Sequence, residues 1–253
     1  MQRKTTQFLV LLLVLAVGFL TFAFFSKRQR KSTIAQSVKL AASSNSLPVT
    51  GSSLEPENPS SDLSDTEQIT SLVNEGTELL ADGKAAEAVL KYEAALKLNP
   101  EDEDIHYNLA AALARAGRKQ DARKHYEKAL EIYPDYAEVH NNLGNLLLSD
   151  EKIDEAIEHF KAAIRTTPEN ATAHNNLGTA YGRQGKVREA IASFSEAIRL
   201  QPDYTEAHVN LGNAYYVQNR FEEAVQQFSM ALQLQPGFQP ALRGLAKARQ
   251  KLQ

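Results

Sequence analysis

Five prolines, Pro100, Pro134, Pro168, Pro202 and Pro236, stand at a constant spacing of 34 residues, and the sequence around them repeats with the same period. A chain built this way stacks one helical pair on the next, so that each unit covers its neighbour's apolar face instead of sharing one central core. Counting back from each proline gives five units, 69–102, 103–136, 137–170, 171–204 and 205–238, followed by a stub at 239–253. Function is then expected on a repeated surface, not in one pocket.

With each unit numbered 1 to 34, position 20 is Ala88, Ala122, Ala156, Ala190 and Ala224, and position 27 is Ala95, Ala129, Ala163, Ala197 and Ala231. Between them, position 24 is Tyr92, Tyr126, Phe160, Phe194 and Phe228. Spacings of four and three keep small, large and small side chains on one helix face, which makes a packing seam on the second helix of each unit. The first helix carries its own stripe at positions 7, 8 and 11, as in Leu143, Gly144 and Leu147 or Leu211, Gly212 and Tyr215. Glycine at position 8 is expected to let two helix backbones approach closely. The turn between helices falls near position 15, at Gly83, Gly117, Glu151, Gly185 and Asn219, and the proline at position 32 ends the second helix.

These residues resemble the tetratricopeptide repeat family, unit five most fully, with Leu211, Gly212, Tyr215, Ala224, Phe228, Ala231 and Pro236. The resemblance covers 69–253. It implies an all-α fold, a right-handed superhelical solenoid of antiparallel helix pairs whose first helices line a concave groove. The tryptophan expected at position 4 is replaced by Leu72, His106, His140, His174 and His208, and Glu75 stands where leucine is expected. Arg123 replaces the Val or Ile of the other units, which bears on how tightly that unit's second helix packs. The stub, with Pro240 in its first turn and Leu242, Leu245 and Leu252, reads as a capping helix over the last apolar face.

Ahead of the repeats, Phe8 to Phe25 is an uncharged and almost wholly apolar run, flanked by Arg3 and Lys4 on one side and Lys27, Arg28, Arg30 and Lys31 on the other. At about 1.5 Å per residue it just spans a bilayer core, and it is read as a single-pass transmembrane anchor within residues 1–31, with a cleaved signal peptide as the rival. The positive flanks favour repeats on the cytoplasmic side by a margin of one charge. Residues 32–67, rich in serine and carrying Pro48, Pro56 and Pro59, are expected to form a disordered linker. The formal net charge of −3 argues against nucleic-acid binding by charge alone, and the absence of cysteine removes disulfide and thiol chemistry.

No catalytic set, cofactor or metal is expected. The position-4 histidines, with His125 and His159 at position 23, are read as packing residues, because equivalent helices about 8–10 Å apart cannot bring imidazoles to the ~2 Å that zinc requires without strain. The sharper feature is position 6, which is Asn74, Asn108, Asn142, Asn176 and Asn210, joined at position 9 by Thr77, Asn145, Thr179 and Asn213 and at position 5 by Asn141 and Asn175. The family resemblance places these positions on the concave face. An amide offers two donors and an acceptor and can pair with the backbone of an extended peptide whatever its side chains. Tyr107, Tyr216, Arg115 and Arg183 are further candidate contacts. The lysine clamp by which related repeats grip chaperone carboxylates is missing, since position 5 holds Val73, Tyr107, Asn141, Asn175 and Val209. The expected function is a membrane-anchored scaffold that binds an extended peptide or partner helix. Self-assembly and service as a regulatory subunit of a separate enzyme, such as a glycosyltransferase, are the alternatives.

Overall fold

The computed structural model describes residues 59–253, with side chains from Ser64 onward; the apolar run at 8–25 and most of the proposed linker lie outside the described residues. Among the described residues there are eleven α-helices and no strand. They are α1 (Pro59–Ala81), α2 (Ala85–Leu98), α3 (Glu103–Arg115), α4 (Lys119–Ile132), α5 (Ala137–Ser149), α6 (Ile153–Thr166), α7 (Ala171–Arg183), α8 (Val187–Leu200), α9 (Thr205–Val217), α10 (Phe221–Leu234) and α11 (Gln239–Lys251). The first helix begins ten residues before the expected start of the repeats at 69, so residues 59–67 are helical and do not belong to a disordered linker. Proline as its first residue fits, because a first-turn N–H has no intrahelical acceptor to lose.

Each unit is an antiparallel pair, and each pair packs on the next. Successive first helices (α1, α3, α5, α7, α9 and α11) touch one another, whereas successive second helices do not. The stack therefore curves with its first helices on the inside, the right-handed solenoid of antiparallel pairs that the family resemblance implies.

The packing seam is as the spacing requires: Ala88, Ala95, Ala122, Ala129, Ala156, Ala163, Ala197, Ala224 and Ala231 are fully buried, and the rings at position 24 lie between them. One expectation is corrected. The glycine at position 8 does not bring two backbones together; it leaves room for the aromatic ring of its own unit. A Cβ added at Gly144 would stand 2.6 Å from Phe160 Cε1, at Gly178 2.7 Å from Phe194 Cδ1, and at Gly212 2.8 Å from Phe228 Cε1. The ring occupies the space beside the bare glycine, where a methyl would stand. At position 15 all five residues are left-handed, with φ of 78° at Gly83, 81° at Gly117, 78° at Gly185, 59° at Glu151 and 61° at Asn219.

Arg123 leaves the seam intact, since Ala122, Tyr126 and Ala129 stay buried, and its guanidinium reaches Glu127 at 2.7 Å and Glu155 of the next unit at 3.3 Å. The α4–α5 interface is nevertheless the sparsest between consecutive helices. The last helix does cap the stack, but with a different set of residues: Ala241 and Ala248 are buried and Leu245 packs on the last apolar cluster, while Leu242 and Leu252 remain 41% and 45% exposed.

Candidate functional site

The inner face is a row of first helices, and the period of 34 sets what meets on it. Position 6 of one helix lies beside position 5 of the helix before, 35 residues earlier. Asn176 Nδ2 donates to Asn141 Oδ1 at 3.0 Å, and Asn210 Nδ2 donates to Asn175 Oδ1 at 2.9 Å. In the preceding pair the acceptor is a phenol: Asn142 Nδ2 points to the Tyr107 hydroxyl at 3.4 Å. Asn108 faces Val73, which offers no acceptor, and makes no such bond; Asn74, in the first unit, is exposed. The central asparagines thus form an interhelix ladder. Each rung uses one N–H and fixes the amide plane; Asn176 and Asn210 keep Oδ1 and the second N–H, while Asn142 also bonds the Tyr126 phenol.

Position 9 is different. Asn145 and Asn213 are exposed and hold no hydrogen bond among the described residues, while the Thr179 hydroxyl donates back to the Asn175 carbonyl at 3.0 Å. The two arginines proposed as specificity contacts are committed to the scaffold. Arg115 Nη1 donates to the Leu80 carbonyl at 3.2 Å and Arg183 Nη1 to the Leu148 carbonyl at 2.8 Å, each satisfying a carbonyl at the C-terminal end of the preceding first helix. Arg183 also lies 3.7 Å from Glu151, and its remaining donors stay half-exposed. Tyr107 is half-buried among Tyr126 and Tyr136, with ring centroids at 6.3 and 5.3 Å, and burial raises its phenol pKa. Tyr216 packs edge-on to Phe221 at 5.4 Å.

Charge separates across the face. The connections from each second helix to the next first helix, residues 101–104, 135–138, 169–172 and 203–206, contain acids and no Lys or Arg. At the opposite edge, between α7 and α8, residues 183–188 hold Arg183, Lys186 and Arg188 and no acid. Beside this edge a cavity of about 300 Å³ opens between α7, α8 and α9, walled by Val187, Ala190, Phe194 and Ala214 and rimmed by Asn210 and Asn213.

The histidines are structural. Each position-4 ring places Nε2 against the carbonyl of the preceding unit's proline, His106 at 3.0 Å from Pro100, His140 at 2.9 Å from Pro134, His174 at 3.0 Å from Pro168 and His208 at 3.0 Å from Pro202. At three of the four units Nδ1 turns to position 23: His106 meets His125 Nδ1 and His140 meets His159 Nδ1, both at 2.9 Å, and His208 lies 2.8 Å from Gln227 Oε1. In the two His–His pairs Nε2–H of the position-4 ring donates to the carbonyl, so its Nδ1 accepts and the partner ring donates. Among the described residues no three His, Asp or Glu side chains converge as a metal site, and no helix is long and apolar enough to cross a membrane.

Sequence reasoning found the asparagine positions but missed their pairing. The signal was present: asparagine occurs at position 5 where the next unit's position 6 bonds to it, as in Asn141 and Asn175.

Comparison with known proteins agrees with this geometry. Models described as tetratricopeptide repeat or TPR repeat match residues 73–137 and 176–237, 144–185, and 125–158. No curated protein matches the sequence. Among solved structures, PilW, a type IV pilus biogenesis factor, superposes with a TM-score of 0.68 at 23% identity, covering 73% of this chain and 86% of that one. PilF of Pseudomonas aeruginosa gives 0.67 at 23% identity over 75% and 87%. YrrB, a TPR protein with an unusual peptide-binding site, gives 0.59 at 21% identity over 74% and 96%. At such identities these structures share the fold. With matched segments that together run from 73 to 237 and a helix-pair stack of the same design, the chain belongs to the tetratricopeptide repeat family.

Proposed function

We propose that this protein is a non-catalytic adaptor whose inner face holds an extended segment of a partner protein close to a membrane. The observation that carries the reading is the amide row. Asn142, Asn176 and Asn210 recur once per unit on adjacent helices, each oriented by its rung; Asn176 and Asn210 keep an oxygen and an N–H to spare, and Asn142, which also bonds the Tyr126 phenol, keeps its oxygen. Helices about 10 Å apart meet a strand that advances about 3.3 Å per residue at every third residue, so the row offers backbone-directed groups in register with an extended chain. Asn145 and Asn213 add unbonded amides one turn further along. The same fold carries a peptide-binding site in YrrB.

Membrane attachment is the part assigned to Phe8–Phe25, and the repeats are placed on the cytoplasmic side. The test is co-purification of partners with the full chain from detergent-solubilised membranes, compared with a variant in which Asn145 and Asn213, which support no rung, are changed to alanine together with Asn142. Loss of a defined partner from the variant supports the reading. Undiminished recovery places the partner on another face.

A second reading is favoured by one observation: Met230, Leu234, Leu242 and Leu252, all at the C-terminal end of the stack, remain 38–45% exposed. Self-association through this end would appear in light scattering as a mass that rises with concentration and falls when Leu242 and Leu252 are made polar.

A further inference from the structure

Gly182 has no structural reason to be glycine. Among the ten glycines in the described residues, Gly83, Gly117, Gly185 and Gly237 have positive φ, and Gly76, Gly144, Gly178, Gly212 and Gly244 face an aromatic ring that a Cβ would strike at 2.4–2.8 Å. Gly182 has neither: it is right-handed, lies in the last turn of α7, and a Cβ there would meet nothing within 4 Å. Glycine in a helix is less stable than alanine by ~0.5–1 kcal/mol, so this position sacrifices stability and leaves open space.

That space is the 300 Å³ cavity. The same position in other units is Leu80, Ala114, Leu148 and Tyr216, and Leu148 is buried there at 6% exposure. In unit four the missing side chain leaves a hole on the inner face lined by Val187, Ala190 and the Phe194 ring. A dry apolar cavity of about half this size accepts a benzene-sized ring. Its mouth is furnished for a peptide. Asn213 is unbonded at one lip and Asn210 is held by its rung at another, while Val217 stands 65% exposed beside them. On the α7–α8 side the lining includes Arg183, which keeps donors to spare beside Glu151 at 3.7 Å, and in sequence Lys186 and Arg188 follow at the start of α8 and form no ion pair among the described residues.

We propose that this cavity is an anchor pocket for one Leu or Phe side chain of an extended partner segment, and that an Asp or Glu adjacent to that side chain in the partner meets the cationic edge formed by Arg183, Lys186 and Arg188. The proposal rests on the groove reading above and names the residue chemistry that the groove selects. Repeats that bind backbone through amides alone discriminate little between sequences; one apolar hole beside one patch of positive charge sets both register and sequence preference.

The test is selection of linear peptides from a random phage-displayed library on the full chain in detergent micelles, followed by fluorescence polarisation with the synthesised winners. The expected winners carry Leu or Phe flanked by Asp or Glu. Gly182→Leu, which fills the hole as Leu148 does in unit three, should weaken them roughly tenfold to a hundredfold, the worth of one buried Leu or Phe side chain. Replacing the peptide's own Leu or Phe by alanine should cost the wild-type protein a similar factor and cost Gly182→Leu little, a coupling that needs no assumption about the variant's stability. Winners that bind wild type and Gly182→Leu equally but weaken when Asn145 and Asn213 are changed overturn the pocket and leave the groove standing. Winners indifferent to both sets, or a library without winners, remove the groove reading itself. A change in molecular mass on Gly182→Leu would assign the hole to a second copy of this chain and also overturn the proposal.

Discussion

Gly178 and Gly182 lie one turn apart in α7, and replacing each by alanine should move stability in opposite directions. Both changes gain the ~0.8–1.0 kcal/mol by which alanine exceeds glycine in a helix. At Gly182 nothing opposes that gain. At Gly178 the new methyl would sit 2.7 Å from Phe194 Cδ1 and Cε1, where carbon atoms prefer about 3.5–4.0 Å, so the ring must retreat by about an ångström. Phe194 is only 4% exposed and is wedged between Ala190 and Ala197, and forcing such a core apart costs ~1–3 kcal/mol. The net for Gly178→Ala is then a loss of ~0–2 kcal/mol, and the two variants should differ by ~1–3 kcal/mol. For a domain of this length that is about 2–4 °C in Tm per kcal/mol. Residues 59–253 carry their own core and are the fragment to use, with thermal and urea unfolding followed by circular dichroism. Adding Phe194→Leu to Gly178→Ala should cost less than Phe194→Leu alone costs in wild type, because the shorter side chain removes the collision. Equal stability of the two single variants, or additive costs in the double, would show that the ring is not held against Gly178 and would refute the account of the position-8 glycines.

The paired histidines make stability depend on pH. Burial lowers the folded-state pKa of His125, His140 and His159 below the ordinary value, with His106 adding repulsion at His125 and His140 adding it at His159, against opposing attraction from Asp121 and Glu93 or from Glu155 and Glu127. Below about 6.5 the unfolded chain binds more protons than the folded one, so stability should be full at neutral pH and fall as pH drops through that value. Changing His125 and His159 to Gln, as in the His208–Gln227 pair, should flatten a plot of Tm against pH between about 7.5 and 5. Glu151→Gly should raise stability by ~1 kcal/mol in urea titration, since a left-handed residue with a Cβ costs that much and its ion pair with Arg183 is exposed. Asn210→Ala removes a rung and leaves the Asn175 oxygen short of a donor, a loss of ~0.5–1.5 kcal/mol partly offset by better helix propensity; an unchanged Tm would mean that the rung is not formed in solution. The full chain should stay with membranes through an alkaline carbonate wash, and its release would assign 8–25 to something other than a spanning anchor.

What the sequence made legible follows from how local each signal was. The period, the helix pairs, the seam and the place of the turn are set within one unit and follow from proline, alanine, aromatic and glycine spacing. The contacts that escaped join different helices, either within one unit or between units. The glycine at position 8 was given to a neighbouring backbone because its true neighbour, the ring at position 24, arrives from across the turn. The ladder, and the carbonyls capped by Arg115 and Arg183, join residues 35 apart, one more than the period, which aligned columns conceal. The helix at 59–67 was hidden by serine-rich composition, although Pro59 followed by Asp62 and Asp65 is also a helix-start pattern. In the cap only Leu245 of the three leucines packs on the last cluster, beside the smaller Ala241 and Ala248 that sit closest. Gly182 stands out only when position 12 is compared across units and each glycine is asked what it makes room for.

The thin joint between α4 and α5 has a mechanical consequence. In a stack where each unit touches only its neighbours, a pull along the axis passes through every interface in series, and the joint with the smallest area gives way first. Here that joint falls between units two and three, bridged at its surface by Arg123 and Glu155 and lined by Tyr107 and Tyr136. A load applied at the N-terminal end would open the stack there, dividing units one and two from units three to five and leaving the Asn176 and Asn210 rungs and the Gly182 cavity together on the unstrained side.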